Sequence, residues 1–223
     1  MRLSLVLTTL ALSSVAFGQA FAPEDGAVQV GYAANLNIGD SVLNLSNDGA
    51  TGGVFGLVPA PGNEGNICAN IYVFDPQEEE IGCCACLVTP NGLNSLSVKS
   101  DLISNNLTPA VPTSVTIMLL NSAPINSGTV AAPVFNQCNP ATTITGLNGR
   151  SGILAWGTTL EPSSTPGTYF AVSVKYLESS ARALGAGTEL TGLSSLCNFI
   201  QANGTGFGIC KSCRLGALGG AKQ

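Results

Sequence analysis

The sequence predicts a mainly β protein, a disulfide-stabilised antiparallel β-sandwich with one short C-terminal helix. Short apolar runs alternate with polar residues and are separated by turn residues about every eight to twelve positions, which is typical of a sandwich or barrel. The chain contains eight cysteines, an even number that suits a disulfide framework. A single stretch near the C-terminus has apolar residues at helical spacing. These three observations together indicate the fold class.

Residues 1–20 have the three parts of a secretory signal peptide. Arg2 supplies the positive charge, residues 3–12 form the apolar core, and the small residues Gly18 and Ala20 suit a signal peptidase. We predict cleavage after Ala20, with cleavage after Gly18 as the alternative. A membrane anchor needs about twenty apolar residues, about twice the length of this core. The sequence therefore predicts a secreted protein, extracellular or at the cell surface, with no stable membrane insertion after the signal is removed.

Residues 21–53 are predicted to be an N-terminal β extension. Two almost uncharged alternating runs lie within residues 27–47, and Val28, Val30 and Tyr32 share one face of the first run. Such a segment could be an edge strand, or a donor strand that completes the sheet of a neighbouring copy through backbone hydrogen bonds. The alternative is that it pairs within its own sheet.

Residues 54–223 are predicted to form the disulfide-rich β-sandwich domain. The prolines of residues 109–124 leave two lobes as an alternative to one domain. Residues 168–176 alternate most clearly, with a predicted core face of Phe170, Val172, Val174 and Tyr176. Trp156 is expected to pack nearby. Other predicted strands cover residues 54–58, 67–74, 114–120, 130–135 and 152–158.

The helix is predicted over residues 188–202, ending at the helix-stop signal of Asn203 and Gly204. A second, short helix is predicted over residues 177–184. The apolar stripe of the first helix consists of Leu190, Leu193, Leu196, Cys197 and Ile200.

The eight cysteines are predicted to form four disulfides, because the chain is exported and their number is even. In an extended strand Cys83 and Cys84 point to opposite faces and Cys84 and Cys86 to the same face, so we expect three separate partners. Cys197 is expected to meet Cys210 or Cys213, and Cys138 to bridge farther. The candidates are Cys68, Cys83, Cys84, Cys86, Cys138, Cys197, Cys210 and Cys213.

Two groups of residues could instead bind a cation. The Cys-x-Cys and Cys-x-x-Cys spacings can ligate zinc, copper(I) or an iron–sulfur cluster through thiolates. The acidic loop over residues 75–80 could coordinate calcium, although its spacing matches no calcium-binding loop of twelve residues, and a solvated loop is the alternative. Its carboxylates belong to Asp75, Glu78, Glu79 and Glu80.

Composition excludes several functional classes. The signal contains Arg2 and no acid, so the mature chain has seven basic and thirteen acidic residues and a net charge of −6. This excess of acid argues against nucleic acid as a partner. The chain contains no histidine, which excludes Ser-His-Asp and Cys-His catalysis. Charged residues make up only 9% of the chain, compared with about 25% in ordinary soluble domains.

We therefore predict a secreted, non-enzymatic structural or interaction protein of the cell surface or extracellular space, such as a subunit of a self-assembling fibre or surface layer. It is expected to need no cofactor, and its expected partners are copies of itself, joined by β-strand addition. The alternative is a secreted ligand- or metal-binding module that uses the acidic 75–80 loop or the cysteine cluster.

Overall fold

The computed structural model describes residues 26–49, 65–129, 131, 135–142, 149–179, 188–205 and 210–213. The predicted signal peptide and the predicted strand over residues 54–58 lie outside these ranges. No helix among the described residues is long and apolar enough to cross a membrane.

Two antiparallel sheets form the body of the protein, as the sequence predicts. The strands are β1 (Val28–Ala33), β2 (Val42–Asn47), β3 (Ile67–Phe74), β4 (Glu80–Val88), β5 (Leu93–Ser97), β6 (Val115–Ser122), β7 (Ile125–Asn126), β8 (Phe135–Gln137), β9 (Ile153–Pro162), β10 (Tyr169–Lys175) and β11 (Leu177–Ser179). The five-stranded sheet has the order β11-β1-β6-β3-β4, and the four-stranded sheet has the order β10-β9-β2-β5. Two short strands, β7 and β8, pair separately.

The main core lies between the two sheets. Ile71 and Leu119 come from the five-stranded sheet, Leu43 and Leu96 come from the four-stranded sheet, and all four side chains are fully buried in one cluster. Burial of this many aliphatic side chains supplies most of the stabilising free energy of such a fold, at about 1.5–3 kcal/mol for each fully buried side chain. The predicted sandwich is confirmed.

The two N-terminal strands lie inside the sheets. Strand β1 is hydrogen-bonded to β6 on one side and to β11 on the other, and β2 lies between β9 and β5. The buried side chain of Gln29 donates a further hydrogen bond to the carbonyl of Ile153 in the opposite sheet. The possibility of an edge strand is therefore wrong, and the alternative, that residues 27–47 pair within the sheets of their own chain, is confirmed. Each strand fills a gap between strands that are distant in sequence, which the local pattern cannot indicate.

A second, smaller core lies on the outer face of the five-stranded sheet, under helix α1 (Thr188–Ile200). A short π-helical turn (Gln201–Thr205) continues the helix, and another (Val98–Leu102) follows β5. Four of the five predicted stripe residues are buried, whereas Leu196 is 51% exposed. The stripe of α1 that contacts the sheet is therefore narrower than predicted. The second predicted helix is also wrong, because residues 177–179 form β11 and pair with β1. Residues 180–184 lie outside the described ranges.

The hairpin of β9 and β10 is buried at the start of β9 and is mostly exposed along β10. Ile153 and Ala155 lie on the face of β9 that points into the core, and Gly157 and Thr159 continue this face along the strand. Val174 and Val172 of β10 pair with Gly157 and Thr159, so they lie on the same face of the sheet. The predicted face is thus the right one, but only Tyr176 of its four residues is buried. Phe170 and Val174 are 53% and 59% exposed. Within β10 itself, Val172 is partly buried and the other six residues are exposed.

Candidate functional site

Four disulfides connect strand β4 and its neighbour β3 to the rest of the chain, which confirms the prediction of cysteine pairs. Cys83 faces the helix, whereas Cys84 and Cys86 face the core between the sheets, so the expected opposite faces are also found. Cys197 bonds to Cys83, so the expected pairing with Cys210 or Cys213 is wrong. The pairs are Cys68–Cys138, Cys83–Cys197, Cys84–Cys210 and Cys86–Cys213, with Cα–Cα distances of 5.5, 5.6, 4.9 and 5.4 Å.

The Cys-x-Cys and Cys-x-x-Cys segments meet at the edge of β4. The sulfur atoms of Cys86, Cys210 and Cys213 lie within 4.8 Å of one another. All of them are in disulfides, and no described cysteine is free. A disulfide sulfur has no thiolate charge to offer a metal ion, so the oxidised cluster is a structural staple.

The four acidic residues of the predicted cation loop do not converge. Asp75 Oδ1 accepts hydrogen bonds from the backbone N–H groups of Gln77 and Glu79, at 2.9 and 3.0 Å, and so closes the turn between β3 and β4. Glu80 lies elsewhere, with its carboxylate within 4.8 Å of the Cys83 and Cys197 sulfur atoms. The register of β3 and β4 skips Ile81, and this irregularity moves Glu80 to the face that α1 covers. Calcium binding by the other three carboxylates stays a prediction.

Glu80 is a buried acid without a hydrogen-bonding partner. Both carboxyl oxygens are inaccessible to solvent and make no hydrogen bond among the described residues. Burial raises the pKa of Glu80 from 4.5 to about 8. The same burial, together with the nearby Glu80, raises the pKa of the Tyr72 hydroxyl. That hydroxyl donates a hydrogen bond to the carbonyl of Pro140 at 2.7 Å. Near neutral pH, Glu80 is therefore a neutral acid inside the helix–sheet interface.

We predict that this acid makes the protein less stable in alkaline solution. The folded pKa of about 8 exceeds the ordinary value of 4.5, so the folded protein binds more protons between these pH values. The corresponding stability is fully present below pH 4.5 and is lost as the pH rises through about 8. A shift of one pKa unit corresponds to about 1.4 kcal/mol, so the whole shift would correspond to several times that amount. Because part of the Glu80 side chain still reaches solvent, we expect a smaller loss of unfolding free energy, about 1–2 kcal/mol in total.

Urea unfolding at pH 5.5 and pH 8.5 tests this prediction. Glu80→Gln should reduce the difference in unfolding free energy between the two pH values and stabilise the protein at pH 8.5. Glu79→Gln is the matched control, because Glu79 is exposed, and it should behave like the wild type. An unchanged pH dependence in Glu80→Gln would show that another group is responsible.

A shallow groove carries two of the few basic residues, Lys99 and Lys211. Lys211 Nζ already donates hydrogen bonds to the carbonyl and the hydroxyl of Ser104, both at 3.1 Å. The adjacent Ser212 hydroxyl donates to Asp101 Oδ1 at 2.6 Å. These contacts hold the C-terminal segment in place, so at least one of the two ammonium groups has a structural role.

Three of the four outermost strands are short or protected. Strand β11 has three residues, and β5 has five and passes directly into the π-helical turn. Strand β4 is covered by residues 210–213, where Cys210 N–H donates to the carbonyl of Ala85 at 3.2 Å beside two disulfides. Soluble proteins manage exposed edges in these ways, because free backbone groups there can pair with another chain.

Strand β10 is the exception. It has seven residues, and no described residue pairs with its outer edge. Tyr169, Phe170 and Val174 are each about half exposed, so both faces of the strand offer apolar surface. Its single charged residue, Lys175, forms an ion pair with Glu178 at 2.7 Å. A long, mostly apolar edge of this kind is suited to β-strand addition.

The described part of the chain thus belongs to the class of disulfide-stabilised antiparallel β-sandwiches with an open sheet edge. No known protein family matches the chain, and no curated protein matches it. Among solved structures it is similar to the crystal structure of Thermotoga maritima 1070, with 9% sequence identity and a TM-score of 0.37. The match covers 69% of this chain and 95% of that chain. A likeness at this level carries no argument about function.

Proposed function

We propose that the protein is a secreted, non-enzymatic structural or interaction protein that acts by associating with copies of itself through the open edge of β10. The observation that carries this proposal is the contrast among the outermost strands. Three of them are short, capped or stapled, whereas β10 is long, apolar and uncovered by any described residue. A backbone edge left open in this way offers hydrogen bonds for a further strand.

The remaining features support an extracellular structural role. Four disulfides make the fold resistant to unfolding outside the cell, where thiols are oxidised. A chain in which only 9% of the residues are charged has few charges to repel a second copy. Strands β1 and β2 already have two neighbours each, so β10 replaces residues 27–47 as the proposed point of strand addition.

We predict that the oxidised mature protein, residues 21–223, associates in a concentration-dependent way and that Phe170→Lys reduces this association. Lys175, the one lysine of β10, lies at the end of the strand and is ion-paired with Glu178. A lysine at position 170 would instead place an unpaired charge on the apolar face, and this opposes pairing because the charge must stay solvated. Leu93→Lys is the matched control, since Leu93 is 55% exposed on the other outermost strand of the same sheet. Sedimentation velocity measures the association, and electron microscopy detects larger assemblies. A wild type that stays monomeric at high concentration, or a Phe170→Lys variant that associates normally, would contradict the proposal.

A further inference from the structure

We infer that the partner at this edge is a second copy whose own β10 pairs antiparallel with β10 around a two-fold axis at Val172. This inference rests on the proposed function and specifies its geometry. The two four-stranded sheets would join into one continuous eight-stranded sheet. Each step below follows from the length, flanks and side chains of β10.

The limits of the strand select the register. Strand β10 has seven residues, and Val172 is the central one. Antiparallel pairing centred on Val172 therefore matches every residue of β10 with a residue of the second β10. A centre one residue earlier brings Lys175 opposite Gly167 in the hairpin turn, and a centre one residue later requires the buried Tyr176 as a partner. The central register gives the most complete backbone pairing.

The side chains fit this register on both faces of the sheet. On one face, Phe170 lies opposite Val174 of the second copy, and Val172 lies opposite its own symmetry mate. Aromatic and β-branched residues directly opposite each other are favourable cross-strand pairs. Phe170 and Val174, now more than half exposed, and the partly buried Val172 would form one apolar stripe across the new sheet.

On the other face, Tyr169 lies opposite Lys175 of the second copy, a pair that a cation–π contact can stabilise. Ala171 lies opposite Ser173, which are both small. Since Lys175 is the single charge of β10, no like charges meet across the axis in this register. The strand is thus complementary to itself.

Two consequences follow for the assembly. A two-fold contact uses the same surface on both copies and closes on itself, so it gives dimers, and a filament or layer would need a second contact. One strand pair buries less surface than a standard interface, so we expect dissociation in the micromolar range or weaker. Each mature copy carries a net charge of −6, so the repulsion between copies is weak and moderate salt should strengthen the dimer only slightly by screening it.

The register has a specific test, because only the residue on the axis meets its own copy. Val172→Lys and Val172→Glu should each weaken the dimer about tenfold or more, since two like-charged side chains would lie directly opposite each other, with their Cβ atoms about 5 Å apart. An equimolar mixture should restore association as a heterodimer, because lysine then lies opposite glutamate. Sedimentation velocity gives the association, and circular dichroism and intact mass confirm that each variant is folded and oxidised. Leu93→Lys should associate like the wild type.

The outcomes separate this inference from the proposed function. If the wild type and both Val172 variants associate equally, or if the mixture is no stronger than either variant alone, the Val172 register is wrong while self-association stands. If the wild type never associates, the proposed function itself is wrong. That result would be expected if a segment of the same chain covered the edge of β10. Restoration in the mixture supports both.

Discussion

Replacing Cys68 and Cys138 together by alanine is expected to lower the free energy of unfolding by about 4 kcal/mol, and replacing Cys86 and Cys213 by only about 2 kcal/mol. The order is the reverse of what sequence separation alone predicts, because the separations are 70 and 127 residues. The expected reversal comes from the way in which the disulfides share loops.

The entropy that a disulfide removes from the unfolded chain depends on the size of the loop that it closes. When other disulfides are already present, that loop can be much shorter than the separation of the two cysteines in sequence. Cys84–Cys210 already joins the chain beside Cys86 and Cys213, so the last disulfide closes a ring of about seven residues. No other disulfide shortens the loop of 70 residues between Cys68 and Cys138. A loop of this length accounts for roughly 4 kcal/mol of chain entropy.

The two disulfides form a matched comparison, because each joins a buried cysteine to a half-buried one. Loss of side-chain packing should therefore be similar in the two double variants. Denaturant unfolding under non-reducing conditions, with intact mass to verify the remaining disulfides, gives both free energies. A larger loss for Cys86 and Cys213 would mean that Cys84 and Cys210 are not bonded to each other.

Gly31→Ala is expected to destabilise the protein by about 2–3 kcal/mol, the upper range for forced overpacking of a core. A Cβ atom at Gly31 would lie 2.1 Å from Cε1 of Tyr176, whose ring is buried between the sheets. The ring cannot move freely away from β1. On its other side, a Cβ at Gly157 of β9 would already lie 3.2 Å from the same atom.

A double-mutant cycle with Tyr176→Leu tests this cause. The smaller side chain should reduce the cost of Gly31→Ala, and the difference measures the coupling of the two positions. Gly192→Ala is the contrasting control, since apart from the neighbouring helix backbone no described atom lies within 4 Å of its Cβ position in α1. That change should stabilise the helix by about 0.5–1 kcal/mol. Equal costs of Gly31→Ala with and without Tyr176 would contradict the steric explanation.

Local patterns in the sequence were sufficient to predict the fold class, the position of α1 and the opposite faces of Cys83 and Cys84. These depend on the periods of strands and helices, which neighbouring residues determine. The burial of β10 was not predictable in this way. Its alternation is regular, but Phe170 is 53% exposed, and whether such a residue is covered depends on what the rest of the fold places opposite it.

The candidate sites show the same limit. In sequence Glu78, Glu79 and Glu80 are equivalent members of an acidic run, and only the irregular register near Ile81 separates Glu80 from the others. The partner of Cys197 depends on which face of the five-stranded sheet the helix covers. The open edge of β10 also has no local signal, because a strand is outermost only by the arrangement of all its neighbours.

The disulfide between Cys86 and Cys213 also determines how the described chain would respond to mechanical tension. A force applied at residues 26 and 213 passes along the chain to Cys86 and then directly through the disulfide. Residues 87–212 are outside this load-bearing path. At about 3.5 Å per residue, the stretched length is limited to about 210 Å instead of about 650 Å for an unlinked chain. The hairpin that carries β10 lies outside this path, so tension at residues 26 and 213 would reach it only through the loss of its neighbour β2, which pairs with β9 and lies in the loaded part.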